Sequence, residues 1–295
     1  MIVVLVAFTL IAFADNSFLC RMALDGNLID PVSFMTIRLV SGALVLIPIS
    51  RLVAEPTAVE KTRGSWCSGF ALFAYAAAFS LAYISLKTGT GALILFGSVQ
   101  VTMIGAAIKS GEKLGPAQWV GLSAAMGGLV FLVLPGLTAP DPIGALLMCV
   151  AGIAWGVYSI RGKGVSAPVA MTAANFSRAA PMGILVCVLA LPWVQMHLQP
   201  MGVLLAVMSG AITSGIGYTL WYKSLPRLST TQASVVQLMV PVIAAVGGIT
   251  FFVRARDRQV DRRKHVDTRR RGLGDHEAQI PCQSSIVVDG YLNVT

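Results

Sequence analysis

Apolar stretches of about 20 residues recur along the first 252 residues of this chain. A helix of that length crosses about 30 Å of hydrocarbon, so each stretch is a candidate membrane span. Nine spans are predicted, at residues 2–24, 32–51, 66–86, 90–109, 116–134, 143–161, 169–194, 201–222 and 231–252. Charged residues make up only 12% of the chain, which leaves too little polar surface to cover a water-exposed protein. The sequence therefore predicts an all-α fold, a polytopic membrane helix bundle.

Two parts of the chain resemble each other at a fixed spacing. Thr90–Leu93 and Thr231–Ser234 each open an apolar stretch, about 141 residues apart. Arg38 and Arg178 have nearly the same spacing. Two copies of one membrane unit are therefore predicted. The expected domains are a first repeat of five helices at residues 1–142, a second repeat of four helices at 143–252, and a tail at 253–295.

The second repeat lacks one apolar stretch. In the first copy, Gly111–Lys113 follows the fourth stretch and leads into a fifth, whereas Phe252 is soon followed by Arg254, Arg256 and Asp257. Helices five and ten would occupy equivalent places in two complete copies. The tenth helix is therefore expected to be missing or replaced.

The tail at 253–295 allows three interpretations. Basic runs at Arg262–Lys264 and Arg269–Arg271 suit a basic arm for anionic lipid or nucleic acid, but acidic residues are interleaved with them. The composition also suits a disordered, solvated tail. The third interpretation is a frameshift, because codons read one nucleotide later from Val253 permit Ser-Glu-Pro and then a mostly apolar helix with a basic end. We predict an out-of-frame tail and no nucleic-acid partner.

Lys and Arg residues outside the tail indicate how the spans are oriented. They gather on alternate connections, at Arg51, Lys61 and Arg63, at Lys109 and Lys113, at Arg161 and Lys163, and at Lys223 and Arg227. Basic connections stay on the cytoplasmic side of a membrane. The expected location is the cell inner membrane, with several spans and a cytoplasmic N-terminus.

Two regions carry a more specific pattern. They are Gly215–Leu225 with Thr231–Ser234 and Met239–Val242, and Gly111–Leu114 with Trp119–Leu122. In these regions the chain resembles the EamA-type drug/metabolite transporters, and the resemblance extends over residues 1–252. It implies a ten-helix transporter of two inverted five-helix repeats that moves small organic molecules by alternating access. The chain departs from that family at the second Gly-Glu position and throughout the tenth helix.

Charged and amide side chains inside the predicted spans are the first candidates for a substrate site. Arg38 and Arg178 lie at equivalent places in the repeats, and a charge near the membrane centre must face the interior, a cavity or a carbonyl group. Each could hold a carboxylate or phosphate, or could only tie helices together. Asp15, beside Asn16, could carry a proton or form a salt bridge with Arg38 or Arg21.

Aromatic and polar groups on central helices are the other candidates. They would suit an uncharged cavity for amphipathic solutes, and the predicted substrate-binding members are Tyr75, Trp155, Tyr158, Tyr218 and Gln237. Trp221 and Tyr222 lie near a helix end and are interpreted as anchors at the membrane surface.

The predicted function is secondary transport, with export of amino acids or related small metabolites. A membrane remnant or packing partner that no longer transports is the alternative. No nucleophile triad, phosphate loop, HExxH or Cys/His cluster is present in the sequence, so no enzyme activity, metal or cofactor is predicted. The expected partners are a small-molecule substrate and the lipid bilayer, and a proton and a second copy of the chain are further candidates.

Overall fold

The computed structural model describes residues 2–53, 64–133 and 140–244, and most of them are helical. The α-helices are α1 (Ile2–Asp25), α2 (Pro31–Val53), α3 (Trp66–Ala82), α4 (Thr88–Lys109), α5 (Pro116–Val133), α6 (Pro142–Gly162), α7 (Pro168–Ala190), α8 (Pro200–Met208), α9 (Gly217–Ser224) and α10 (Thr230–Val236). Between α8 and α9, residues Ser209–Ile216 form a π-helix, called the π segment below. A 3-10 turn, Leu225–Arg227, follows α9.

Local chemistry explains where the helices begin. Proline is the first residue of α2, α5, α6, α7 and α8, a position where its missing N–H leaves no helical hydrogen bond unmade. Ser65 and Asp141 cap α3 and α6 by accepting hydrogen bonds from Ser68 N and Gly144 N. Ser229 and Gln232 form a reciprocal capping box at the start of α10.

Six helical stretches of the described chain are long and apolar enough to cross a membrane. They are α1, α2 up to Leu52, α4, α6, α7 and the run from Pro200 to Arg227. Large apolar side chains such as Phe8, Val101 and Leu185 are exposed on their outer faces. Water-soluble monomers seldom expose such continuous apolar surface, whereas lipid solvates it. The prediction of an all-α, polytopic membrane bundle is confirmed.

The helices pack so that the two halves of the chain interlock. Helix α2 packs on α7, and each also contacts a helix of the opposite half: α2 contacts the π segment, and α7 contacts α3. Helix α1 lies along α8, the π segment and α9, while α6 lies along α3 and α4. Gly152 allows the close approach of α6 and α4, because a Cβ atom there would collide with the Leu95 carbonyl oxygen.

The predicted spans and the observed helices agree at most boundaries, with two differences in the second half. Residues 201–222, predicted as one regular span, are interrupted by the π segment. In the last predicted span, 231–252, α10 ends at Val236 and a further helical stretch runs to Ala244. Residues 245–295 lie outside the described chain, and the predictions of a missing tenth helix and an out-of-frame tail lie there with them.

Two polar contacts lie at the start of α10, and the first of them joins the two halves of the chain. The carboxylate oxygen Oε1 of Glu112, between α4 and α5, accepts a hydrogen bond from Thr231 N at 3.4 Å. Lys163, after α6, donates from Nζ to Thr230 Oγ1 at 2.8 Å. Partial burial raises the pKa of Glu112, but hydrogen bonds from Thr231 and Ser229 and the charge of Lys163 outweigh it and hold that pKa below its ordinary value of 4.5. The ionised carboxylate is therefore the form that this contact favours.

The Glu112 contact predicts a pH-dependent effect on stability. A lowered pKa in the folded state means that the contact stabilises the protein above pH 4.5, and that its contribution is lost as the pH falls through the folded-state pKa. We expect Glu112→Gln to lower the Tm by roughly 1–2 °C at pH 7, because exposed charge contacts contribute little. Thermal unfolding at pH 7 and pH 3.5, with Lys113→Gln as the control, checks this. An equal loss at both pH values would contradict it.

Candidate functional site

A small cavity lies between helices from both halves of the bundle. Its lining residues are Phe13, Ser17, Tyr75, Leu95, Phe96, Trp155 and Tyr218, contributed by α1, α3, α4, α6 and α9. The enclosed space has room for about one water molecule. Aromatic rings close around it, since Trp155 lies 4.6 Å from Tyr218, 5.0 Å from Phe13 and 5.1 Å from Tyr75, between ring centroids.

Asn16 is the hydrogen-bonding centre of the cluster beside this cavity. Its Nδ2 donates to the hydroxyl oxygen of Tyr218 at 3.2 Å and to that of Tyr75 at 3.4 Å. Its Oδ1 accepts from Ser209 Oγ, and Thr213 Oγ1 lies 3.2 Å away. The amide thus uses both its donors and its acceptor, which is what a fully buried amide requires. One side chain thereby connects α1, α3, the π segment and α9.

The π segment explains why several hydroxyl groups reach this cluster. Its wider turn brings residues five apart onto one face, unlike an α-helix, where neighbours on a face are three or four apart. Ser209 and Ser214 have this spacing, and Tyr218 follows two residues after the segment ends. Ser209 and Thr213 reach Asn16, while Ser214 and Tyr218 reach Arg38.

Arg38 is almost completely buried, with 1% of its surface exposed. Its Nε donates to Ser214 Oγ at 3.0 Å, and its Nη2 donates to the Tyr218 hydroxyl oxygen at 2.6 Å. The guanidinium carbon lies 5.1 Å from the ring centroid of Tyr75 and 5.2 Å from that of Phe79, in cation–π contact. Tyr75 and Tyr218 therefore lie between this cation and the cavity, because both rings line the cavity.

Trp155, Gln237 and Tyr158 extend the cluster on the side of α6. Trp155 Nε1 donates to Gln237 Oε1 at 2.7 Å, and Gln237 Nε2 donates to the Ala233 carbonyl at 2.9 Å. Tyr158 stacks on Trp155 with ring centroids 5.5 Å apart. Its hydroxyl accepts a hydrogen bond from Asn175 Nδ2 at 3.5 Å. These groups are buried, and the hydrogen bonds and the ring stacking hold the aromatic wall in place.

Two of the residues predicted for the site lie elsewhere. Asp15 is exposed on α1, on the same outward stripe as Phe8 and Ile11, although Asn16 beside it is buried in the cluster. Half-buried Arg178 lies against the start of α3, where its guanidinium carbon is 5.8 Å from the Trp66 ring and its Nη1 donates to the Ala174 carbonyl at 2.8 Å. The structure thus brings together Asn16, Arg38, Tyr75, Trp155, Tyr158, Tyr218 and Gln237.

The interpretation of Trp221 and Tyr222 as anchors at the membrane surface is wrong. Both side chains are fully buried, at 0% exposure. Trp221 Nε1 donates to Ser159 Oγ at 3.1 Å, and the Tyr222 hydroxyl donates to the Tyr158 carbonyl at 3.0 Å. Their polar atoms find partners inside the protein, which removes the physical reason for a tyrosine or tryptophan to reach the headgroups.

Sequence reasoning missed several members of the cluster. Phe13, Ser17, Leu95 and Phe96 line the cavity, and Ser209, Thr213 and Ser214 supply its hydroxyl groups. The apolar four resemble any other membrane residue in sequence. The hydroxyl groups gave one usable signal, because three of them recur within six residues of a single apolar span.

The cavity wall combines apolar and aromatic side chains with two tyrosines, Tyr75 and Tyr218, that carry hydroxyl groups. Both tyrosines contact Arg38. Pockets for small organic molecules have this composition, with few polar groups placed among apolar side chains. The fold defines a multi-pass helical membrane protein, and this small cavity lies between its two halves.

Comparisons with known proteins identify the family of this membrane protein. The model of the EamA-like transporter family matches residues 142–254. An uncharacterised protein of Pseudomonas aeruginosa is 48% identical over 244 residues, covering 83% of this chain and 84% of that protein. The chain belongs to the EamA-like transporter family, whose members are transporters, and it is therefore a membrane transporter.

Two more distant matches cover most of the chain. A protein of Streptantibioticus cattleyicolor, named a probable terminal-alkyne amino-acid exporter, is 24% identical over 242 residues and covers 81% of each chain. A solved crystal structure is similar in fold, with a TM-score of 0.61 and 19% identity, over 81% of this chain and 85% of that one.

Proposed function

We propose that this protein is an inner-membrane secondary transporter that exports amino acids or related small metabolites by alternating access. The observation that carries the proposal is the enclosed cavity, because its wall is built from helices of both halves. A central site between two halves is reached from either side when one half rocks against the other. The Streptantibioticus relative, named as an exporter of a terminal-alkyne amino acid, supports the substrate class.

The proposed division into repeats at 1–142 and 143–252 is supported by paired contacts. If α1 corresponds to α6, and α3 to the run from α8 to α9, then α1 on α8–α9 and α6 on α3 are equivalent contacts. Likewise Arg38 on α2 contacts the π segment and α9, while Arg178 on α7 contacts the start of α3. Under this proposal both arginines join one repeat to the third span of the other.

We propose that the N-terminus and the basic connections face the cytoplasm. The two ends of α4 offer a direct test, since Lys87 precedes the helix and Lys113 follows it, and both side chains are exposed. In a chain without other reactive cysteines, Lys113→Cys should react with a membrane-impermeant maleimide only after the cytoplasmic face is opened. Lys87→Cys should react in intact spheroplasts. Labelling of both from the same side would refute this orientation.

A proton is the coupling ion that we propose, with Asp15 as its carrier. Among the described residues, Asp15 is the carboxylate farthest inside a membrane helix, and a charge on its apolar stripe is costly unless it is hydrated or protonated. Protonation would remove that charge during each cycle. The other proposed partners are the small-molecule substrate and, as an assembly, a second copy of the chain.

The transport proposal is tested by flux. Everted membrane vesicles that contain this chain should accumulate at least one labelled solute from a panel of amino acids and related small metabolites, 3-phenylpropanoate included, when a pH gradient is imposed, and vesicles without it should not. The same assay on a version with the reading frame restored from codon 253 distinguishes a transporter from the alternative, a membrane remnant that does not transport. Flux only in the restored version would support the remnant; flux in neither would overturn the transport proposal.

A further inference from the structure

The positive charge of Arg38 is not balanced by an acid within the described residues. Those residues include five carboxylates, and none contacts Arg38: Asp25 pairs with Arg21, Asp30 and Asp141 cap helices, Glu112 accepts from Thr231, and Asp15 is exposed. The Nη1 atom of Arg38 also has no hydrogen-bond partner in the described part of the chain. Buried charges are normally paired, so within the described residues this guanidinium is an unneutralised cation.

The hydrogen bonds of Tyr218 carry the effect of this charge toward the cavity. Its hydroxyl oxygen accepts from Arg38 Nη2 and from Asn16 Nδ2, so both of its lone pairs are occupied. The remaining capacity of that hydroxyl is to donate its proton. The hydroxyl of Tyr75 also accepts from Asn16. Chains of hydrogen bonds polarise one another, so a network that starts at a cation ends in strong O–H donors.

The rest of the cavity wall holds no carboxylate that would neutralise a cation, and its one further polar side chain is Ser17. Phe13, Leu95, Phe96 and the Trp155 ring are apolar, and the indole N–H of Trp155 is already bonded to Gln237. An ammonium group in this space would lose its hydration without gaining a carboxylate, and Arg38 would repel it through a medium of low dielectric constant. An anionic group would gain both the donors and the attraction.

We propose that, once the two halves separate enough to admit a solute, the cavity selects solutes that carry one carboxylate on an apolar or aromatic body, and that it discriminates against a free ammonium group. Tyr75 and Tyr218 donate to the carboxylate. Arg38 is a positioning residue that polarises Tyr218 through its hydrogen bond to the Tyr218 hydroxyl oxygen. This inference rests on the transport function proposed above and narrows its substrate class. Among relatives of amino acids, those without a free amino group fit this site better than the zwitterions.

Three ligands with one carbon skeleton test the selection by charge. The full chain in lipid nanodiscs is titrated with 3-phenylpropanoate, its neutral amide, and phenylalanine, which adds an ammonium group, and binding is measured by calorimetry. We expect 3-phenylpropanoate to bind at least about tenfold more tightly than the other two, because hydrogen bonds to charged groups are the stronger ones. Equal affinities, tighter binding of phenylalanine, or no binding of any of the three would overturn the proposal.

Variants separate selection by charge from a general effect on folding. Tyr218→Phe keeps the ring and removes the donor, and Arg38→Gln removes the charge; both should reduce the carboxylate-to-amide ratio to near one. Lys87→Gln, at an exposed position, should leave the ratio unchanged. Loss of affinity for all three ligands by the same factor would indicate a structural role and contradict the polarisation of Tyr218.

Failure of this inference and failure of the proposed function are distinguishable. Selective binding without flux in vesicles would leave the charge selection in place and refute transport. Flux with no preference between 3-phenylpropanoate and phenylalanine would leave transport in place and refute the charge selection.

Discussion

Arg38→Leu is expected to reduce transport at least tenfold while leaving the Tm unchanged or higher. The substitution removes the cation that polarises Tyr218, so the donors at the cavity wall weaken. It also removes a buried charge that no acid among the described residues neutralises, so the desolvation cost of that charge disappears and offsets the two lost hydrogen bonds. Loss of activity without loss of stability is the pattern of a residue kept for function.

Flux in vesicles tests the expected loss of transport, and thermal unfolding of the purified protein tests the expected Tm. Lys87→Ala is the matched control, because it also removes one basic side chain, but from an exposed position before α4. Its flux and Tm should equal those of the parent chain. Normal flux in Arg38→Leu at normal expression would assign Arg38 a purely structural role. A large fall in Tm would do the same.

The extent and type of the helices could be predicted from sequence because both follow from local properties. The span predicted at 116–134 is observed as Pro116–Val133, and that predicted at 143–161 as Pro142–Gly162. Apolar length sets the existence of each helix, and proline or a capping residue sets its start. Both properties are visible in a single sequence.

The π segment could not be predicted, because it depends on tertiary contacts. Nothing local distinguishes Ser209–Ile216 from an ordinary apolar stretch with small residues. The wider turn is used where Ser209 and Thr213 reach Asn16, on a helix almost 200 residues earlier in the chain. Periodicity analysis assumes a regular helix and therefore places Tyr218 on the wrong face relative to Ser209.

The candidate site was only partly accessible to sequence reasoning for a similar geometric reason. Asp15 and Asn16 were predicted together, but neighbours on a helix point about 100° apart, so burial of one directs the other outward. Polar type alone does not tell which of the two faces inward. For Trp221 and Tyr222, residue type suggested the membrane surface, but both side chains lie inside. Their hydrogen-bond partners there are Ser159 Oγ and the Tyr158 carbonyl, which sequence alone does not reveal.

Gly210→Ala is expected to destabilise the protein by about 1–3 kcal/mol and to disrupt the site. Gly210 lies where the π segment meets α2, and a Cβ atom there would collide with the Arg38 carbonyl oxygen and Ser41 Oγ and would come within 2.8 Å of the Arg38 carbonyl carbon. The obstructing atoms belong mostly to backbone, so the helices must separate. That separation would lengthen the hydrogen bonds from Arg38 to Ser214 and Tyr218.

Gly105→Ala is the matched control for this prediction. Gly105 lies on α4, and a Cβ atom there meets nothing within 4 Å, so alanine should be neutral or slightly stabilising through its better helix propensity. We expect the Tm of Gly210→Ala to fall by several degrees, with a parallel loss of flux, and that of Gly105→Ala to stay constant or rise. Equal behaviour of the two variants would show that the close approach of α2 and the π segment is unnecessary for stability. It would also show that the placement of Arg38 against Ser214 is unnecessary.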